Sequence, residues 1–213
     1  MPGIMPGMAD GGVPIVVVRH GEQERTGQDG PLTSRGRTQS AALADAIRLD
    51  GTDLLVCSTR VRARQTAEAL GRDPLLVPDL DEFRFGERWT WEQADIRDDL
   101  ALWRPEHRAG DESLAEFQSR VSGALDRLVA HPPRGRIVVC VHSGVIDALL
   151  RWALGIPRET AWTVEAHVPH ASITEVRHWP WGRHPRGAPR HTLLVRVGDV
   201  AHLPPDLRTD VEP

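Results

Sequence analysis

The stretch Pro14-Ile-Val-Val-Val-Arg-His-Gly-Glu22 decides the fold. Its unbroken apolar run, Ile15 to Val18, reads as a strand buried on both faces, because neither side meets water. It stops abruptly at Arg19, His20 and Gly21, so two polar side chains stand at the carboxyl end of a core strand. In open α/β sheets that end is where ligand crevices form. The pattern recurs in Arg136-Ile-Val-Val-Cys-Val-His-Ser-Gly144. If the two strands are neighbours, His20 and His142 come face to face, each close to a glycine that lets backbone approach. Either histidine alone reads as an ordinary core or surface residue; the pair reads as a site.

Working outward, further strand-like runs fall at 53–57 and 75–78. Helical patterns lie between the strands. One starts at Thr33 as N-cap, and a second starts at Ser58 as N-cap and stops at Gly71. A third has Leu114, Phe117, Val121, Leu125 and Leu128 on one face. The last, following His142, is apolar nearly all round and closed by Gly155 and Pro157. This alternation predicts an α/β fold, a three-layer α/β/α sandwich around a mainly parallel sheet. "ASITEVRHW" and "HTLLVRVGD" predict an antiparallel pair at the sheet edge. No linker or repeat interrupts the chain, so residues 13–207 read as a single domain behind a flexible tail at 1–12.

The chain has 213 residues and a net charge of −4, which gives no support for nucleic-acid or membrane binding. All 26 basic residues are arginine, and Asn and Tyr are also absent, which reads as codon bias. An arginine is therefore informative here only by position. Cys57 and Cys140 lie in core-strand runs and are expected to be reduced thiols in a cytoplasmic protein. No run approaches the about 18 apolar residues of a membrane span, and the N-terminal segment lacks the features of a signal peptide.

Ser58 to Thr66 follows a third apolar strand and opens a helix, so backbone N–H groups are on offer to an anion. Of Arg60, Arg62 and Arg64, which point in different directions, one is expected to reach the crevice.

At these residues the chain resembles the histidine phosphatase superfamily, the phosphoglycerate-mutase-like fold. Arg19-His20-Gly21-Glu22 resembles its R-H-G-E signature, and "PLTSRGRTQS" its L-T-x-x-G-x-x-Q helix start. "STRVRARQTAE" is similar to its S-x-x-x-R-A-x-Q-T-A segment and aligns Arg62 with the phosphate-binding arginine. "LDEFRFG" resembles its L-x-E-x-x-x-G segment and singles out Glu82. "VHSGVIDALL" resembles the second-histidine motif, and "HASITEV" and "VGDVAHL" the closing strands. These matches keep the family's order over roughly residues 14 to 203.

The resemblance implies a metal-independent, cofactor-free phosphatase acting on a small-molecule phosphomonoester. Phosphoryl transfer needs an in-line nucleophile, positive charge around the equatorial oxygens and a proton for the leaving oxygen. A neutral His20 supplies the nucleophile. Arg19, Arg62 and His142 surround the phosphate, with Ser143 N–H assisting. Glu82 is the general acid on the family spacing alone, with Asp81 and Glu87 as rivals by proximity.

Departures from the pattern are specific. Thr26 stands six residues after His20, where the family commonly has asparagine, and offers a hydroxyl to substrate instead. The loop from Glu22 to Pro31 is short; Gln28 and Asp29 align there, Gln28 as a substrate contact. Residues 83–110 correspond to the family's variable cap and carry Trp89, Trp91 and Trp103. They stack on substrate or merely pack the cap. His178, His184 and His191 match no zinc spacing and read as a hairpin tip. The alternatives are a phosphoglycerate mutase-type phosphotransferase and, ranked last, a non-catalytic phospho-ligand binding module. Oligomeric state stays open, with a homodimer hinted at only by the tryptophans.

Overall fold

The computed structural model describes residues 11–26, 28–84, 112–160, 162–180, 184 and 191–209. In chain order these form β1 (Val13–Arg19), α1 (Ser34–Ile47), β2 (Leu54–Cys57), α2 (Val61–Glu68), β3 (Leu75–Leu76), α3 (Leu114–Ala130), β4 (Ile137–Val141), α4 (Ser143–Leu154), β5 (Ile173–Trp179) and β6 (His191–Asp199). The strands make one sheet ordered β3-β2-β4-β1-β5-β6. β3, β2, β4 and β1 run parallel; β5 pairs antiparallel with β1 and β6 antiparallel with β5, the antiparallel pair expected at the sheet edge.

The apolar runs are continuous because β1 and β4 are covered on both sides. Ile15, Val17, Ile137, Val139 and Val141 pack with Phe117, Val121 and Leu125 of α3 and Leu149 and Trp152 of α4. Val16, Val18, Val138 and Cys140 face the other way, onto Leu43 and Ile47 of α1 and Ala63 and Ala67 of α2. A period of two with both faces apolar is what a central strand requires. α1 leaves β1 towards one face and α4 leaves β4 towards the other, so a crevice opens between these adjacent strands at their carboxyl ends.

Local signals held unevenly. Thr33 is the N-cap of α1, its hydroxyl accepting from Gly36 N–H at 3.0 Å. Ser58 is not the N-cap of α2. That position belongs to Arg60, which makes no side-chain cap bond, because the Ser58 hydroxyl is committed to Asp81. The amides at the start of α2 are likewise taken. Thr59 N–H goes to Asp81 and Val61 N–H to Asp29, so this helix start offers no ready anion cradle. The strand expected over 75–78 shortens to β3 because Pro78 begins a 3-10 turn. Gly12 is buried, and a Cβ there would lie 2.7 Å from Trp179. Cys57 and Cys140 are free, buried and paired in register across β2 and β4. Among the described residues no helix is long and apolar enough to cross a membrane. Glu87, Trp89, Trp91 and Trp103 lie outside the described residues.

Candidate active site

Register brings the two histidines together. Arg19 pairs with Val141, so the next residue of each strand, His20 and His142, emerges at the same crevice. Their rings stand 5.1 Å apart, edge to face, and are 3% and 1% exposed. Gly21 follows because nothing larger fits: a Cβ there would lie 2.4 Å from the Gly36 carbonyl oxygen of α1. Glycine thus lets α1 close over the strand end.

His20 Nδ1 lies 2.7 Å from the Gly21 carbonyl oxygen. A carbonyl only accepts, so Nδ1 carries the proton and Nε2 the lone pair. Arg62 Nε donates to that Nε2 at 3.1 Å. Burial, followed by the charges of Arg62, His142, His170 and Arg19, holds His20 well below the ordinary histidine pKa. The ring is therefore a neutral base with a directed lone pair. Arg62 is 5% exposed and is further fixed by the Gln28 carbonyl at 3.0 Å and Asp29 at 3.4 Å. Arg64 is exposed and Arg60 partly so; Arg62 is the one of the three that hydrogen-bonds His20.

Arg19 is tied to the chain before β5. Nη1 donates to the Val168 carbonyl at 2.6 Å and Nη2 to His170 Nε2 at 3.2 Å. Its Nε is buried without a partner among the described residues. Burial pushes its pKa down to about 10, with Glu82 opposing and Arg62 assisting; the guanidinium stays cationic at neutral pH.

His142 is the N-cap of α4, its Nε2 lying 2.8 Å from Ser58 Oγ. Burial, then Arg62, Arg60, Arg19 and Arg120, holds its pKa well below the ordinary value. Ser143 and Gly144 open the helix, where N–H groups lack intrahelical partners. Gly144 N–H donates to Glu82 Oε2 at 3.2 Å and Phe83 N–H to Oε1 at 3.0 Å. Glu82 thus lies against the start of α4, beside the histidine pair. Asp81 is turned away to Ser58 and Thr59. Thr26 is exposed in its loop, and Gln28 brings its backbone carbonyl to Arg62.

A neutral imidazole with a directed lone pair, one buried and one part-buried guanidinium, a second histidine and a carboxylate therefore share one crevice. The family model for the histidine phosphatase superfamily (branch 1) matches residues 15–186. The chain belongs to the histidine phosphatase superfamily. A probable phosphoglycerate mutase of Proteus mirabilis (strain HI4320) is 27% identical over 208 residues, covering 89% of this chain and 94% of that one. The adenosylcobalamin/alpha-ribazole phosphatase of Escherichia coli (strain K12) is 29% identical over 169 residues, covering 68% and 81%. Among solved structures, a mycobacterial glucosyl-3-phosphoglycerate phosphatase in complex with VO3 superposes with a TM-score of 0.67. It is 26% identical and covers 87% of this chain and 98% of that one.

Three parts of this histidine phosphatase site escaped the sequence reading. His170 stands 5.5 Å from His20 by ring centres; burial and then Arg19 push its pKa down to about 3. Its signal, a histidine just before a strand that pairs with β1, was present in "PHASITEV". The Ser58–Asp81 link to His142 had no local signal. Asp147, on the α4 face that holds Gly144, is 8% exposed and takes the Ala166 N–H at 2.8 Å.

Proposed function

We propose that the chain is a metal-independent phosphomonoesterase that works through a phosphohistidine on His20. The observation that carries this reading is the orientation of His20: Nδ1–H is fixed on Gly21 O and the Nε2 lone pair is turned to Arg62. A substrate phosphate takes the place of the lone pair on Arg62, with Arg19, Arg62, His142 and Ser143 N–H around its equatorial oxygens. Nε2 attacks phosphorus and the P–O ester bond breaks. Glu82 gives its proton to the leaving alkoxide. Water then attacks the phosphohistidine, Glu82 takes a proton from it, and the P–N bond breaks to release phosphate. Charge is supplied by side chains already in place, so the reading needs no metal.

Residues 13–207 act as one domain in this reading, with 83–110, most of which lies outside the described residues, as the cap expected over the site. The substrate is a small phosphomonoester, as the names of the E. coli and mycobacterial relatives support. Phosphoglycerate mutase-type transfer is the second reading, supported by the name of the Proteus relative. Phosphate release from a panel of phosphomonoesters, with EDTA present, tests the proposal against His20→Ala. Activity that survives EDTA and disappears in the variant is expected. Transfer with bisphosphoglycerate that outpaces phosphate release would reverse the order of the two readings.

A further inference from the structure

Among the described residues Ser58 Oγ has three polar neighbours, and it carries one proton. It donates to Asp81 Oδ1 at 2.8 Å, accepts from Arg60 N–H at 3.2 Å and lies 2.8 Å from His142 Nε2. A carboxylate only accepts, so the hydroxyl proton is committed to Asp81, and the remaining lone pair takes the proton on His142 Nε2. Asp81 is itself fixed by Thr59, whose N–H donates at 2.7 Å and whose hydroxyl lies 2.7 Å from Oδ2. The chain from His142 through Ser58 to Asp81 therefore runs in one direction, through residues 1%, 0% and 9% exposed.

That direction leaves His142 Nδ1 with a lone pair. Nδ1 is buried and has no partner among the described residues. A lone pair repels a phosphoryl oxygen, whereas an N–H binds it. The charged groups that act on His142 are Arg62 and Arg60 from the α2 side, Arg19 from β1 and Arg120 from α3. The neutral His20 ring stands beside it, and Glu82 lies over the next turn at Gly144. With arginines dominating, the ring is neutral until an anion arrives; a dianion reverses the local field.

We infer that Asp81 and Ser58 are positioning residues that hold His142 as the Nε2–H tautomer, and that Nδ1 takes one proton from solvent as a phosphate dianion enters and donates it to a phosphoryl oxygen. The inference rests on the phosphatase reading of the site. One proton enters with each dianion and returns to solvent when phosphate leaves. The imidazolium is stabilised from behind, because its Nε2–H stays on an oxygen whose own proton points to a carboxylate.

Titration calorimetry with inorganic phosphate at about pH 8, where the ligand is a dianion, tests this in two buffers of different ionisation enthalpy. Wild type is expected to take up about one proton per phosphate, and His142→Gln none. Ser58→Ala and Asp81→Asn are expected to bind about tenfold more weakly than wild type at pH 8. That ratio should shrink as pH falls towards about 6, where mass action supplies the proton. A merely structural loss would weaken binding equally at both pH values. Binding without proton uptake, uptake that persists in His142→Gln, a pH-independent ratio, or no phosphate binding at all overturns the relay. Release of phosphate from monoesters, measured separately, shows whether the phosphatase reading falls with it.

Discussion

Arg62 Nε sits 3.1 Å from His20 Nε2, so a buried guanidinium rests on the one ring atom that holds a lone pair. The same guanidinium is braced by Gln28 O and Asp29. Its plane is therefore set before substrate arrives, which a flexible ammonium cannot reproduce. Arg62→Lys is expected to lower kcat/KM for p-nitrophenyl phosphate by about a hundredfold or more, the scale for losing one preorganised donor. Trapping of radiolabelled phosphoenzyme by rapid denaturation should weaken in parallel. A Lys variant within a few-fold of wild type would remove Arg62 from the phosphate site.

Among the described residues Glu82 bonds to backbone N–H groups, those of Gly144 and Phe83. A proton donor matters most when the leaving alkoxide is basic. Glu82→Gln is expected to slow an alkyl phosphate at least about tenfold more than p-nitrophenyl phosphate, on the general scale of acid–base catalysis. Equal slowing of the two substrates would deny Glu82 the role of acid.

Gly144 gives a finer test of the same carboxylate. A Cβ at this position would lie 2.5 Å from Glu82 Oε1, the mobile end of a side chain rather than backbone. Gly144→Ala should therefore displace the carboxylate and leave the fold intact. The expected result is a wild-type melting curve together with the leaving-group sensitivity of Glu82→Gln. A large drop in Tm would show that the glycine serves packing instead.

The histidines of the crevice make stability depend on pH. His20, His142 and His170 are all held below the ordinary histidine value of 6.5. A base whose folded pKa is depressed takes its proton first in the unfolded chain, so stability is lost as pH falls below about 6.5. Each contributes about 1 kcal/mol per pH unit in that window. Asp147 acts oppositely, because its carboxyl is raised from 3.8 to about 7 and keeps its proton in the folded chain. Its contribution is present at low pH and declines as pH rises through that range. Three histidines outweigh one carboxyl, so urea unfolding should show lower stability at about pH 5 than at about pH 6.5. His170→Gln should flatten that slope; an unchanged slope would mean that the fold does not hold His170 neutral.

Asp147 also predicts a titration in activity. Burial is the largest cause of its raised pKa, with Glu165 and Glu82 adding to it against the Ala166 N–H and Arg19. Ionisation of Asp147 near pH 7 changes the field at Glu82 and Arg19. The kcat/KM profile of wild type should bend near pH 7, and Asp147→Asn should remove that bend. Persistence of the bend in the variant would assign it to another group.

The sheet and the histidine pair were legible because their signals are local or repeated. Ile15 to Val18 and Ile137 to Val141 are apolar without a break since each strand must satisfy two buried faces, and a run of that kind declares a central strand by itself. Arg19-His20-Gly21-Glu22 and the arginine-bearing start of α2 were visible as motifs within a few residues. What stayed hidden joins distant parts of the chain. His170 lies 150 residues from His20 and reaches it only because β5 pairs antiparallel with β1.

Ser58 looked like a helix cap, as any serine before a helical pattern does. Its hydroxyl instead serves His142 and Asp81, residues 84 and 23 positions away. The sequence alone determined which segments must be buried and which side chains stand at the strand ends, because period and polarity are properties of neighbours in the chain. Tertiary structure decided proton positions, namely which ring nitrogen of His20 and His142 carries hydrogen and which carboxyl bonds to which donor. Those choices are made by hydrogen bonds across the sheet, and no local pattern encodes the far partner.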